Sequence, residues 1–223
     1  MTECNTTPSQ SRSSATRKYF IIGLPRTATT SVCVAALKLG FKTAHTAYVK
    51  EAFEQAEVIA DTPIFCDYPQ LAEQYPAAKF IYLTRKPEKW LPSIKQLLQR
   101  MYVNLQRQDG GFNPILKRCY NEVFFPLTLD NIDSDDFLLG CYVQHQTQIE
   151  KYFKSAPERL LTIDVSEAGS FATFTRFLNA SNNVNEDAGF EVVNTGNKVT
   201  TWKSIKHPLK VESTRNGKVD SGL

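Results

Sequence analysis

From residue 18 onward the chain alternates short, dense runs of β-branched and aromatic residues with longer stretches whose apolar positions recur every three or four. The first run, Lys18 to Gly23, reads K-Y-F-I-I-G and ends on glycine, as a buried parallel strand does before its loop. Thr29 to Leu39 follows with helical spacing and stops at Gly40, a helix C-cap. Further strands are expected around Glu57 to Ala60, Lys79 to Thr84 and Arg159 to Ile163, with helical patterns between them. This repetition predicts an α/β fold in three layers, with a central parallel sheet of about four to five strands covered on both faces.

Two longer helices are predicted. Glu88 to Gln106 has Pro87 suited to its first turn and Pro92 as an interior residue expected to kink it. Asp135 to Phe153 starts from an N-cap at Ser134 or Asp133. Between them the insert Gly110 to Leu129 holds Phe112, Tyr120, Phe124 and Phe125 and shows no clear period. Residues 1–17 are polar and rich in Ser and Thr and are expected to form a disordered arm. Residues 18–210 then form a single domain, followed by a mobile tail over 211–223.

Composition narrows the function classes. Of 223 residues, 42% are hydrophobic and 22% charged, which fits a globular domain and excludes collagen, a coiled coil or wholesale disorder. A net charge of +3 is too small for a dedicated nucleic-acid binder, so no nucleic-acid partner is expected and any anion specificity must be local. The five cysteines are scattered without C-x-x-C or zinc spacing and read as reduced thiols of a cytoplasmic protein. The start lacks the apolar core of a secretory signal, although Arg12 and Arg17 against a single acid, Glu3, leave a transit peptide open. No segment approaches the roughly 18 apolar residues of a membrane span, and no membrane partner is expected.

Candidate chemistry sits in two loops. Gly23-Leu24-Pro25-Arg26-Thr27-Ala28-Thr29-Thr30-Ser31 lies between a predicted strand and a predicted helix, where free N–H groups and the helix dipole converge on an anion. It keeps the spacing of the nucleotide loop G-x-x-x-x-G-K-[ST], but Ala28 stands at the second glycine and Thr29 at the lysine. The cation has moved to Arg26. The second loop, Arg85-Lys86-Pro87-Glu88-Lys89-Trp90-Leu91-Pro92-Ser93, follows the strand K-F-I-Y-L-T, so Arg85 lies at a strand's carboxyl end, where ligands bind in open α/β sheets.

Together the two loops resemble those of the sulfotransferases, which transfer a sulfuryl group from 3′-phosphoadenosine 5′-phosphosulfate (PAPS). P-R-T-A-T-T is similar to the family's 5′-phosphosulfate loop, and R-K-P-E-K-W-L-P-S to its 3′-phosphate signature, an Arg followed eight positions later by a Ser. Asp61-Thr62-Pro63 and Tyr75-Pro76-Ala77-Ala78-Lys79 match the D-x-P and Y-P-x-A-K elements of a compact, soluble branch. The resemblance implies a P-loop NTPase-like sulfotransferase fold. It also implies that Pro25, Arg26, Thr27, Ala28, Thr29 and Thr30 hold the 5′-phosphosulfate, while Arg85 and Ser93 hold the 3′-phosphate.

Asp61 matches the acid that deprotonates the acceptor hydroxyl, and Arg26 the cation at the leaving phosphate. His45 is a second base candidate or an acceptor-orienting residue; His145 reads as structural, and His207 lies near the end of the chain. The family's late R-K-G phosphate contact has a loose echo in Arg215-Asn216-Gly217-Lys218. The resemblance implies 3′-phosphoadenosine 5′-phosphate (PAP) as product and no metal. The expected partner is a small organic acceptor with a hydroxyl, or alternatively an amine. A small-molecule kinase with a degenerate phosphate loop and a non-catalytic nucleotide-binding protein are the competing readings.

Overall fold

The computed structural model describes residues 17–180, 189–191, 202–214 and 219–220. The expected arm, apart from Arg17, and the segment 215–218 lie outside the described residues. The sheet has five parallel strands: β1 (Tyr19–Ile21), β2 (Thr43–His45), β3 (Val58–Ala60), β4 (Lys79–Thr84) and β5 (Leu160–Asp164), in the spatial order β2-β3-β1-β4-β5. The chain leaves β1 for the far edge, returns through β3, and crosses to β4 on the other side of β1. The loops after β1 and β4 therefore flank a switch point of the sheet.

Alternation along the strands builds the layers. Tyr19, Ile21, Ile81 and Leu83 face a core shared with α1 (Thr29–Lys38) and Phe174 and Leu178 at α8 (Ser170–Phe177). Phe20, Ile22, Phe80 and Tyr82 face the opposite core, which α2 (Lys50–Gln55) and α3 (Ile64–Gln74) cover. Both sheet faces are dry, which is why the strands read as unbroken apolar runs. Lys18, at the mouth of β1, is buried and donates to the Phe53, Glu54 and Ala56 carbonyls at 2.6, 3.3 and 2.5 Å, capping the end of α2.

A third core lies beside the sheet and is built from α4 (Pro87–Gln106), α5 (Pro114–Val123), α6 (Leu129–Asp133) and α7 (Asp135–Tyr152). The insert without a clear period is thus mainly helical: Asn113 caps α5 by accepting from the Leu116 N–H at 2.8 Å, and Pro114 occupies its first position. Phe124 is fully buried there. α4 starts at Pro87 and runs through Pro92 to Gln106, while Ser134 caps α7, accepting from Phe137 N–H at 3.2 Å.

Two departures from the sequence reading bear on the site. β2 is an additional strand, so His45 is its last residue rather than part of a connection. The segment 202–214 runs back to the free edge of β2, where the Val211 N–H donates to Thr43 at 2.9 Å and the Thr43 N–H donates to Leu209 at 3.0 Å. Farther on, the Tyr48 N–H donates to Ser213 at 3.0 Å, and the Asp220 N–H to Tyr48 at 2.9 Å.

Candidate active site

The loop after β1 is held by its own residues and by α4. The Thr27 hydroxyl donates to the Leu24 carbonyl at 2.7 Å, and the buried Trp90 indole of α4 donates to the Pro25 carbonyl at 2.9 Å. Gly23 is required by space: a Cβ there would stand 2.5 Å from Thr27 Oγ1 and 2.6 Å from Leu83 Cβ. Arg26 and Ala28 are both left-handed, with φ of 74° and 73°, and this turns successive N–H groups toward one side. Ala28 is the N-cap of α1 and has no side-chain oxygen to satisfy the first-turn N–H groups, which leaves a helix N-terminus open to an anion.

Arg85, after β4, donates through Nη1 to the Arg26 carbonyl at 2.8 Å. Arg26 in turn donates through Nε to Ser93 Oγ at 2.8 Å. The two motifs of the sequence are therefore physically joined: Arg26 contacts Ser93 of the second motif, and Arg85 contacts the backbone of the first. Burial first, and then the Arg100 and Arg85 charges, push the Arg26 guanidinium down from its ordinary value.

Asp61 follows β3 with φ of 67°, a left-handed position that aspartate tolerates better than most residues. Its Oδ1 accepts from the Thr62 N–H at 2.8 Å and the Thr62 hydroxyl at 3.2 Å, while Oδ2 lies 3.4 Å from His45 Nε2. That ring nitrogen is also 3.2 Å from both the Thr29 and Thr30 hydroxyls. The ring stacks on Trp202, with centroids 5.5 Å apart. Burial lowers the His45 pKa against the opposing pull of Asp61, which favours the neutral imidazole.

One cavity of about 510 Å³ joins these groups. Pro25, Arg26, Thr27, Ala28, Thr29, Thr30, Asp61, Arg85 and Ser93 all line it, and His45 lies just behind through Thr29, Thr30 and Asp61. Lys89, Leu97 and Arg100 of α4, Tyr120 of α5, and Asp164, Val165 and Phe190 line it as well; apart from Tyr120, which belongs to the aromatic insert, sequence reasoning did not assign these to the site. Spacing on one helical face is the signal that could have found Arg100, at i+7 from Ser93. Of the aromatic insert, Tyr120 reaches the cavity, held on α5 by a double contact of Arg118 with Asp67 of α3 at 2.9 and 2.7 Å. Burial first, and then the Asp61 charge, push its phenol far up, leaving it a neutral hydroxyl.

The other histidines stand apart from the cavity. Pro69 inside α3 has no N–H for the Phe65 carbonyl, and His145 Nε2 donates to that oxygen at 2.8 Å instead. His207 accepts from the Leu209 N–H at 3.2 Å in a turn. Among the described residues no group of three or more His, Cys, Asp or Glu side chains is placed to hold a metal ion, and no helix is long and apolar enough to cross a membrane.

A parallel sheet with a phosphate-type loop and an open helix N-terminus at its switch point defines a P-loop-like α/β protein. Within that class the match is specific: the family described as sulfotransferase domain matches residues 46–199, and the chain belongs to it. The matched stretch includes Asp61, Arg85 and Ser93 and begins one residue after His45, so the loop from Gly23 to Ser31 adds an independent, geometric feature. Comparison with curated proteins gives no match.

Proposed function

We propose that this sulfotransferase takes its sulfuryl group from PAPS and delivers it to a hydroxyl of a small organic acceptor. The single observation that carries this reading is the convergence of Arg26, the α1 N-terminus, Arg85, Ser93 and Asp61 on one cavity. Two adjoining loops that each bring an arginine to the cavity suit an adenine nucleotide phosphorylated at 3′ and 5′, and the lysine clamp of a nucleotide triphosphatase is replaced by Thr29. Gly23, with no room for a Cβ, and the uncapped helix fit a compact tetrahedral anion at the loop.

When bound, PAPS supplies the group in flight: the acceptor oxygen forms a new S–O bond as the bond from sulfur to the bridging phosphate oxygen breaks, and PAP departs. Arg26 and the first-turn N–H groups of α1 stabilise the charge that builds on that oxygen. Asp61 takes the acceptor proton on Oδ2, the oxygen not committed to Thr62. Neutral His45, fixed by Thr29, Thr30 and Trp202, orients Asp61 and the acceptor. Arg85 and Ser93 hold the 3′-phosphate, and Arg85 also keeps the loop in place.

The cavity's size suits a small molecule, and the modest net charge supports neither nucleic acid nor membrane as partner. The described cysteines are unpaired thiols, which supports a cytoplasmic setting. The test is an acceptor-library screen with labelled PAPS, read by mass spectrometry for an added sulfate, alongside calorimetric titration with PAP. PAP binding with sulfate transfer is expected. Magnesium-dependent turnover of ATP without PAP binding would replace this reading with a kinase, and PAP binding with no transfer to any acceptor would leave a nucleotide-binding protein.

A further inference from the structure

The cavity wall made by α4 and α5 holds a cation, Arg100, to which the donor reading assigns no role. Ser93, Leu97 and Arg100 recur at i, i+4 and i+7 on α4 and all line the cavity. Helical side chains lean toward the N-terminus, so Arg100 leans back along this face toward Ser93, whose oxygen accepts from Arg26. The three guanidiniums of Arg26, Arg85 and Arg100 lie close enough together that the latter two weaken the proton affinity of the first.

Several other long cations of this region have carboxylate partners, and Lys117 donates to the Arg107 and Gly110 carbonyls, whereas Lys89, like Arg100, has no ion pair among the described residues. Lys95 pairs with Asp135 at 2.7 Å, Arg118 with Asp67 at 2.7 Å, and Arg107 with Asp109 at 3.7 Å. Arg100 has neither an ion pair nor a side-chain hydrogen bond among the described residues. The acids of the cavity are engaged elsewhere: Glu191 with Lys38, Asp164 with the Ser166 hydroxyl at 2.7 Å, and Asp61 with Thr62. An exposed arginine facing a cavity, repelled by its neighbours and lacking a carboxylate of its own, marks the place of an external anion.

We propose that Arg100 is a specificity-determining residue of the acceptor side, which takes an oxyanion carried by the acceptor while Leu97 and Tyr120 cover the acceptor's carbon body. The inference rests on the sulfotransferase reading above and deepens it. In the reading above Arg26, the α1 N-terminus, Arg85 and Ser93 serve the donor, and Arg100, seven residues beyond Ser93 on α4, lines the same cavity as Leu97 and Tyr120. The substrate class is a small hydroxylated molecule bearing a carboxylate or a phosphate ester, either of which a planar guanidinium grips with two parallel hydrogen bonds.

The test uses hydroxyl compounds on matched scaffolds in three forms: carboxylate, phosphate monoester and neutral amide. Binding of each to the PAP-saturated full chain is measured by calorimetry, and transfer from PAPS by mass spectrometry, for the wild type, Arg100→Ala and Arg100→Lys. At least one anionic form is expected to bind about tenfold or more tighter than its amide. Arg100→Ala should remove that preference while PAP affinity stays unchanged, and Arg100→Lys should restore part of it. Equal binding and transfer of anionic and neutral members would overturn the proposal and leave the sulfotransferase reading intact. Weakened PAP affinity in Arg100→Ala would overturn it by assigning the residue to the donor. Arg100-dependent binding of anions without transfer would uphold it and count against the sulfotransferase reading instead.

Discussion

Arg85 Nη1 donates to the main-chain oxygen of Arg26 at 2.8 Å, tying the turn after β4 to the loop after β1. Arg26 is held in a left-handed conformation, φ 74°, that a non-glycine residue adopts at a cost of about 1–3 kcal/mol unless its surroundings fix it. The contact therefore couples the two loops that line the cavity through the backbone as well as through charge.

Arg85→Ala is expected to weaken PAP binding in calorimetry by about tenfold to a hundredfold, the worth of a charge-assisted hydrogen bond. Arg85→Lys, which keeps the charge and loses the planar fork, should recover only part of it. Unchanged PAP affinity in Arg85→Ala would take this residue out of the donor site.

Asp61→Asn separates the chemistry from the backbone. Asparagine tolerates the left-handed position at φ 67° and can still accept from Thr62. Transfer is expected to fall by about a hundredfold to ten-thousandfold, the range of a lost general base, with PAP affinity and unfolding midpoint nearly unchanged. Retained turnover of a true acceptor would move the base role to His45, and His45→Gln would then be the inactive variant.

Gly23→Ala tests the loop's close approach. The added methyl meets Thr27 Oγ1 and Leu83 Cβ at 2.5 and 2.6 Å, the second on a fully buried strand residue that has no room to yield. A loss of about 1–3 kcal/mol in urea unfolding is expected, together with weaker PAP binding as Thr27 is displaced. Wild-type stability and affinity would show that the loop relaxes freely, against the packing described above.

His145 governs part of the acid response. Burial pushes its pKa down to about 4, against an unfolded value of 6.5. Between these values the unfolded chain takes up a proton that the folded protein refuses, so stability is full above pH 6.5, declines as pH falls, and levels off below about 4. The accumulated loss is about 3 kcal/mol. Burial pushes His45 in the same direction and adds to the decline from 6.5 downward. His145→Gln, which keeps a donor for the Phe65 carbonyl, should flatten the slope of unfolding free energy over this window. An unaltered slope would refute the assignment.

Much of the fold was legible because burial on both sheet faces writes itself into sequence: Lys79 to Thr84 is a strand in both readings with the same ends. β2 was missed because Thr43-Ala44-His45 carries no apolar run; it is a strand through its pairing with β3 on one side and the 209–211 backbone on the other. Arg26, Arg85 and Asp61 stood out because each follows a strand whose position fixes where they meet, and Ser93 through its spacing of eight from Arg85. Arg100 and Tyr120 were hidden, since their approach depends on how α4 packs against α5 through contacts such as Arg118 with Asp67. Of the insert's aromatics, Tyr120 lines the cavity and Phe124 is core.

The return of residues 202–214 to the rim of the sheet sets the Trp202 indole against His45, whose ring nitrogen touches Thr29, Thr30 and Asp61 of the cavity. A protein shortened ahead of Trp202 would lose the indole against which His45 rests and would at the same time bare the unpaired N–H and C=O groups of Thr43. An open β edge of this kind recruits other chains. Removing the chain from Trp202 onward is therefore expected to yield self-associating material as well as a slackened imidazole.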